Sequence, residues 1–135
     1  KEKLLLKRNH RLTNIRKNYL NQTISEIVDR KPRFICIEDL NVSGMMKNRH
    51  LSKAVQAQRF FWFRKQLEYK CSDKGIQLIV ADRFYPSSKL CSCCGNIKKT
   101  LKLSDRVYRC ECGNMIDRDF QASINLKTYG EQFAS

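Results

Sequence analysis

Residues 90–114, LCSCCGNIKKTLKLSDRVYRCECGN, hold five of the seven cysteines in the chain. Cys91 and Cys94 form a C-x-x-C pair; Cys110 and Cys112 form a C-x-C pair across an intervening polar loop. Glycine follows each pair, at Gly95 and Gly113, and suits turns in which backbone amides point back at sulfur. Zn²⁺ takes four soft ligands at tetrahedral corners, and two short knuckles joined by a β-hairpin supply them. The spacing therefore predicts a structural zinc ribbon on Cys91, Cys94, Cys110 and Cys112, with Cys93 a spare thiol able to stand in for Cys94. Four thiolates leave zinc no open position for water, so this site is a brace and not a catalyst. An odd cysteine count with close spacing favours metal thiolates in a reducing cytosol over a disulfide framework, which predicts a cytoplasmic protein. Cys36 and Cys71 lie in apolar sequence and read as small buried hydrophobes.

Working outward from this insert, residues 76–84, IQLIVADRF, form a near-continuous apolar run, the pattern of a strand covered on both faces. Residues 33–40, RFICIEDL, are a second short β-rich run. Between them, residues 53–75 are rich in helix formers and end at Gly75, a C-cap. The block Phe60-Phe61-Trp62-Phe63 is apolar all round and predicts burial there. Stacking of Trp62 on bases is the lesser reading of that block. Residues 1–31 carry apolar positions at helical spacing and stop at Pro32. Residues 41–52 read as a loop. Residues 117–130 read as a closing helix with Asp117 at its N-cap and Gly130 at its end. The order helix, strand, helix, strand, cysteine insert, helix is α/β, with the first two strands parallel across a crossover helix. Two strands do not make a stable parallel sheet, so the sheet is incomplete.

Charge narrows the partners. The 135 residues carry 27 Lys and Arg against 13 Asp and Glu, a formal net charge of +14. That surplus exceeds what solubility requires of a small domain and points to a polyanion, nucleic acid first. A membrane surface would concentrate the charge on one amphipathic helix, whereas here basic residues run the whole length. No apolar run reaches the length of a membrane span.

Four acids are candidates for chemistry, and one of them stands where ligands gather in open α/β sheets. Glu38 lies at the carboxyl end of the first strand, and Asp39 follows on the opposite face. Asp117 and Asp119 open the last helix. Cap and turn chemistry accounts equally for acids at such positions.

Three segments in order, ICIEDLNVSGMMKNRHLSKAV, VADRFYPSSKLCSCCG and DRDFQASINL, resemble the C-terminal half of the OrfB/TnpB family over essentially the whole chain. These are transposon-encoded, RNA-guided DNA endonucleases related to the type V CRISPR effectors. The resemblance implies an incomplete RNase H-like (RuvC-like) nuclease domain with an inserted four-cysteine zinc ribbon. It divides the chain into residues 1–89 (nuclease domain lacking its first catalytic segment), 90–114 (ribbon) and 115–135 (C-terminal helix). By motif, Glu38 matches the family's second catalytic acid and Asp119 its third. Gln121 stands where the family usually has Asn, Ser123 where it usually has Ala, and the second knuckle is C-x-C. Nothing in residues 1–32 resembles the segment bearing the first catalytic Asp. The implied cofactors are structural Zn²⁺ and, in the intact enzyme, catalytic Mg²⁺; the implied partners are DNA and a guide RNA. Two Mg²⁺ ions would clamp the attacking water and the leaving oxygen, so the chain alone is expected to be inactive. The alternative is a nucleic-acid-binding module without cleavage, a transposon remnant or a repurposed regulator. A third reading is a zinc-ribbon interaction protein whose acids are only caps.

Overall fold

The computed structural model describes residues 1–40, 51–102 and 104–135, with the backbone alone for 51–57. The loop expected at 41–52 falls, through residue 50, outside the described residues. In chain order the elements are α1 (Glu2–Asp29), β1 (Phe34–Ile37), α2 (Leu51–Lys74), β2 (Gln77–Val80), β3 (Val107–Arg109), β4 (Met115–Asp117) and α3 (Arg118–Phe133). All five expected helices and strands outside the ribbon are present. The chain divides into two compact units, residues 1–33 with 41–77, and residues 34–40 with 78–135.

The first unit is helical. α1 runs 28 residues without a glycine or proline. It stops where Lys31 turns to φ 52° ahead of Pro32, whose ring bars further helix. α1 packs on α2, and the buried side chains are Ile24 and Val28 of α1 with Leu67 and Cys71 of α2. Lys70 Nζ donates to Ser25 Oγ at 2.6 Å across this contact. α2 ends as its sequence predicts, with Gly75 at φ +69° and the Ile76 N–H on the Cys71 carbonyl at 2.9 Å.

The aromatic block of α2 departs from expectation. Phe60 is 37% and Phe61 50% exposed, and Trp62 and Phe63 are half-buried. Within this unit α1 is the one described helix packed on α2, and one partner covers only one stripe of a helix. A block that is apolar all round therefore keeps part of its surface outside.

In the second unit β1 and β2 pair, and the Ala81 N–H extends the pairing to the Ile37 carbonyl at 2.8 Å. α3 packs on β1. Its start matches the sequence reading: the Asp117 carboxylate accepts from the Phe120 N–H at 3.0 Å. Its end does not. Gly130 was the expected terminus, yet the helix continues to Phe133. Gly130 is instead buried against β1, where a Cβ would overlap the Phe34 ring and meet Cys36 Cβ at 3.0 Å. The glycine serves close approach, not capping.

The ribbon is built on the antiparallel pair β3–β4, with Tyr108 opposite Ile116. Tyr108 is 1% exposed, and its hydroxyl donates to the Lys89 carbonyl at 2.9 Å. That ring is the ribbon's apolar centre, and its polar tip is satisfied.

Candidate metal centre and carboxylate cleft

Two knuckle turns bring the four cysteines together. In the first, the Gly95 N–H bonds to the Cys91 carbonyl at 3.0 Å; in the second, the Gly113 N–H bonds to the Cys110 carbonyl at 3.0 Å. Both glycines take positive φ, 80° and 96°, which is why glycine occupies each turn. The Sγ atoms of Cys91, Cys94, Cys110 and Cys112 all lie within 4.8 Å of one another. Cys91 and Cys112 sulfurs are 3.7 Å apart, and Cys94 and Cys110 sulfurs 3.5 Å apart. A tetrahedron with Zn–S bonds of about 2.3 Å has edges of about 3.8 Å, so the donor set fits a metal of zinc's size and softness. Cys94, not Cys93, belongs to the cluster, and Cys93 is exposed.

The protonation of these sulfurs reflects their crowding. Burial pushes the Cys91 thiol up. The N–H of Cys94, the Asn114 amide and the N–H of Cys93 favour its thiolate more strongly, and bring it down to about 6. At Cys112 the Asn114 N–H favours the thiolate, but the neighbouring Cys110 thiol, burial, Cys91 and Cys94 push it up to about 12. A metal bound by these sulfurs would displace the proton that Cys112 holds.

Glu38 follows β1 and lines a cleft of about 340 Å³ with Asp39, Asp82, Arg83, Ser87 and Lys89. The Ser87 hydroxyl donates to Glu38 Oε1 at 2.6 Å, which orients the carboxylate. Ser87 is itself 6% exposed and held from behind: Asn125 Nδ2 donates to the carbonyls of Ser87 and Leu90, both at 2.8 Å. Asp39 faces Arg83 at 4.0 Å, and the Asp82 carboxylate caps its own turn by accepting from the Phe84 N–H at 2.9 Å.

Asp119 stands in the first turn of α3, 79% exposed beside Arg118, and is not among the residues lining the Glu38 cleft. Asp117 is an N-cap. Among the described residues, the four cysteines are the one cluster of three or more metal-ligating side chains that converges. Sequence reasoning missed Asn125, whose side chain holds the loop under Glu38. The signal was available, because Asn125 closes the DRDFQASIN segment at the last position of the motif. Cys36 and Cys71, read as buried, divide: Cys71 is 1% exposed, Cys36 only half-buried, and burial raises both thiols.

A third feature belongs to the helical unit. A groove between α1 and α2 is lined by Arg16, Lys17, Leu20, Arg59, Phe61 and Trp62, with Lys17 Nζ 6.0 Å from the centre of the Trp62 ring.

The profile of the Cas12f1-like TNB domain matches residues 60–126. A Streptomyces pristinaespiralis protein named as an RNA-guided DNA endonuclease is 38% identical over 120 residues, covering 89% of this chain. The TnpB-like protein L79 of Acanthamoeba polyphaga mimivirus is 29% identical and covers 93% of it. The chain belongs to the TnpB family. Its fold is also that of a Cas12f1 chain solved with sgRNA and target DNA, at a TM-score of 0.65 and 19% identity over 93% of this chain. Relatives of this family are longer: the chain spans 30% of the Streptomyces protein, 25% of the mimivirus protein and 38% of the Cas12f1 chain. Among the described residues, no helix is long and apolar enough to cross a membrane.

Proposed function

We propose that this chain is the part of an RNA-guided DNA endonuclease that carries the second and third acids of an RNase H-type (RuvC-like) nuclease site, Glu38 and Asp119, and a structural zinc ribbon on Cys91, Cys94, Cys110 and Cys112. The domain limits follow the motif: a nuclease portion over 1–89, the ribbon over 90–114, and the closing helix over 115–135. The observation that carries this reading is the placement of Glu38. It leaves β1 into a polar cleft, its carboxylate oriented by Ser87, in a chain whose relatives are named for RNA-guided cleavage.

The reaction is phosphodiester hydrolysis. Water oxygen bonds to phosphorus, the P–O bond to one sugar oxygen breaks, and that oxygen leaves with a proton. Mg²⁺ supplies charge stabilisation for the attacking and leaving oxygens when bound. Carboxylate oxygens suit that hard cation; Glu38 would offer one from the cleft and Asp119 one from α3. Ser87 keeps Glu38 in one orientation, and Asn125 keeps Ser87 in place. Asp119 contributes from the first turn of α3. Residues 1–32 offer no counterpart of the first acid, so the chain by itself binds nucleic acid without cutting it. The net charge of +14 supports a nucleic-acid partner, DNA or guide RNA. So does the basic groove beside Phe61 and Trp62 in the helical unit, where bases stack at about 1–3 kcal/mol each.

The test is guided cleavage of DNA by the chain joined to an upstream family segment that supplies the first acid, with Mg²⁺ and a matching guide. Glu38→Gln and Asp119→Asn should each abolish cutting while leaving RNA binding intact. Cutting that survives both substitutions contradicts the assignment.

A further inference from the structure

The most buried polar side chain of the second unit has no part in the site described so far. Gln121, on α3, is 0% exposed. Its Oε1 accepts from the Ser92 N–H at 3.2 Å, from the Ser92 hydroxyl at 3.4 Å and from Asn114 Nδ2 at 2.9 Å. A backbone N–H can only donate, so Ser92 fixes which end of the Gln121 amide faces the ribbon. Its Nε2 is buried without a partner among the described residues. An unpaired buried N–H costs about 1–3 kcal/mol, and a native structure holds one only where something else demands the orientation. Here three donors compete for the oxygen.

Asn114 is the link to the metal centre. Its Nδ2 carries two hydrogens; beside the bond to Gln121 Oε1 it reaches Cys91 Sγ at 3.4 Å. Cys91 is the buried member of the cluster, 2% exposed. Ser92 and Asn114 belong to opposite knuckles, so one glutamine oxygen ties both turns to α3, the helix that carries Asp119 in its first turn.

We infer that Asn114 and Gln121 form an amide relay which positions the Cys91 thiolate at the metal and locks the ribbon onto α3. This rests on the reading of the four cysteines as a metal centre. Asn114 donates to the ligating sulfur, and Gln121 holds Asn114 in the orientation that allows it. Neither residue touches metal or substrate; both are positioning residues. An N–H directed at a thiolate withdraws electron density from sulfur and fixes the direction of its lone pairs. Outer partners of this kind change metal affinity by about 10–100-fold when removed.

The experiment loads the chain with Co²⁺, whose sulfur-to-cobalt charge-transfer bands report thiolate donation, and measures Zn²⁺ affinity by chelator competition. The native chain should take up one Co²⁺ with a tetrathiolate spectrum. In Asn114→Ala the charge-transfer bands should move to lower energy, and Zn²⁺ affinity should fall about 10–100-fold. Gln121→Met, of similar shape without the acceptor, should shift both in the same direction by less. Ser123→Ala, on the exposed side of the same helix, should move neither. Should the Asn114 variant fail to fold, the native chain loaded with the NMR-active isotope of cadmium decides instead. The metal should couple through the hydrogen bond to the Asn114 side-chain amide protons, and absence of that coupling overturns the relay. A tetrathiolate spectrum unmoved by Asn114→Ala, with unchanged affinity, overturns the relay alone. A native chain that takes up no Co²⁺ overturns the metal centre and the relay with it.

Discussion

The two units of the chain are held together by different physics. The helical unit has a small apolar core: Ile24, Val28, Leu67 and Cys71 are buried, while Leu4, Leu5, Leu6, Leu12 and Ile15 of the same α1 stay exposed. The second unit buries polar side chains, Ser87, Gln121 and Asn125, along with Tyr108 and Cys91. Apolar contact is non-directional and tolerates adjustment. Buried amides are intolerant, because each donor and acceptor must find its partner. The unit with the acids and the cysteines is therefore the one whose geometry is specified most tightly, as a site requires.

Removing the metal ligands should break this contrast most severely. Structural zinc in small domains contributes about 10–16 kcal/mol of apparent binding energy, much of it folding energy. In Cys91→Ser/Cys94→Ser, zinc stoichiometry measured by elemental analysis should fall from one to zero. Amide exchange should then lose protection at Tyr108 while the amides of Leu67 and Cys71 keep theirs. Zn²⁺ affinity of the native chain should also rise with pH. Cys112, held up to about 12, binds as thiolate only by losing a proton. Binding therefore releases protons and is weakened as pH falls, and competition titrations between about pH 6 and 8 should show that slope.

Next in size is Leu67→Ala, which empties a site 1% exposed in the helical unit and should cost about 2–5 kcal/mol. Zinc binding by the second unit should survive it. Loss of zinc in this variant would erase the distinction between the units. Asn125→Ala should follow, at about 1–3 kcal/mol, chiefly for the buried Ser87 carbonyl left without its donor. It should also loosen Ser87 beneath Glu38, visible as faster exchange of the amides across 87–90. Cys93→Ser is the smallest. That thiol is exposed and outside the cluster, so stability should stay within about 0.5 kcal/mol and zinc content should not change.

Elements whose signals are local were legible in the sequence. The helix stop at Pro32, the caps at Gly75 and Asp117 and the knuckle glycines depend on a few adjacent residues, and each stands where expected. Gly130 and the block Phe60–Phe63 were misread because their roles depend on distant packing. A glycine that ends a helix and a glycine that admits Phe34 look identical in sequence. Burial of an aromatic block likewise depends on how many partners surround it. The four-cysteine cluster was legible, with Cys93 left as a spare for Cys94, and the geometry brings Cys94 into the cluster. The polar scaffold of Gln121, Asn114 and Asn125 was not legible, because an amide's partners lie up to 38 residues away. The motif marked Asn125 and flagged Gln121 without saying what either holds.

The most direct test of the account asks whether Glu38 and Asp119 serve one metal site. Mn²⁺ added to the zinc-loaded chain should broaden the amide resonances of Glu38 and the cleft residues 81–85 and 87 together with those of Asp119 and Phe120. Glu38→Gln should diminish the broadening at both places. Broadening at the cleft that leaves Asp119 untouched, or broadening at Asp119 that survives Glu38→Gln, would contradict the shared site.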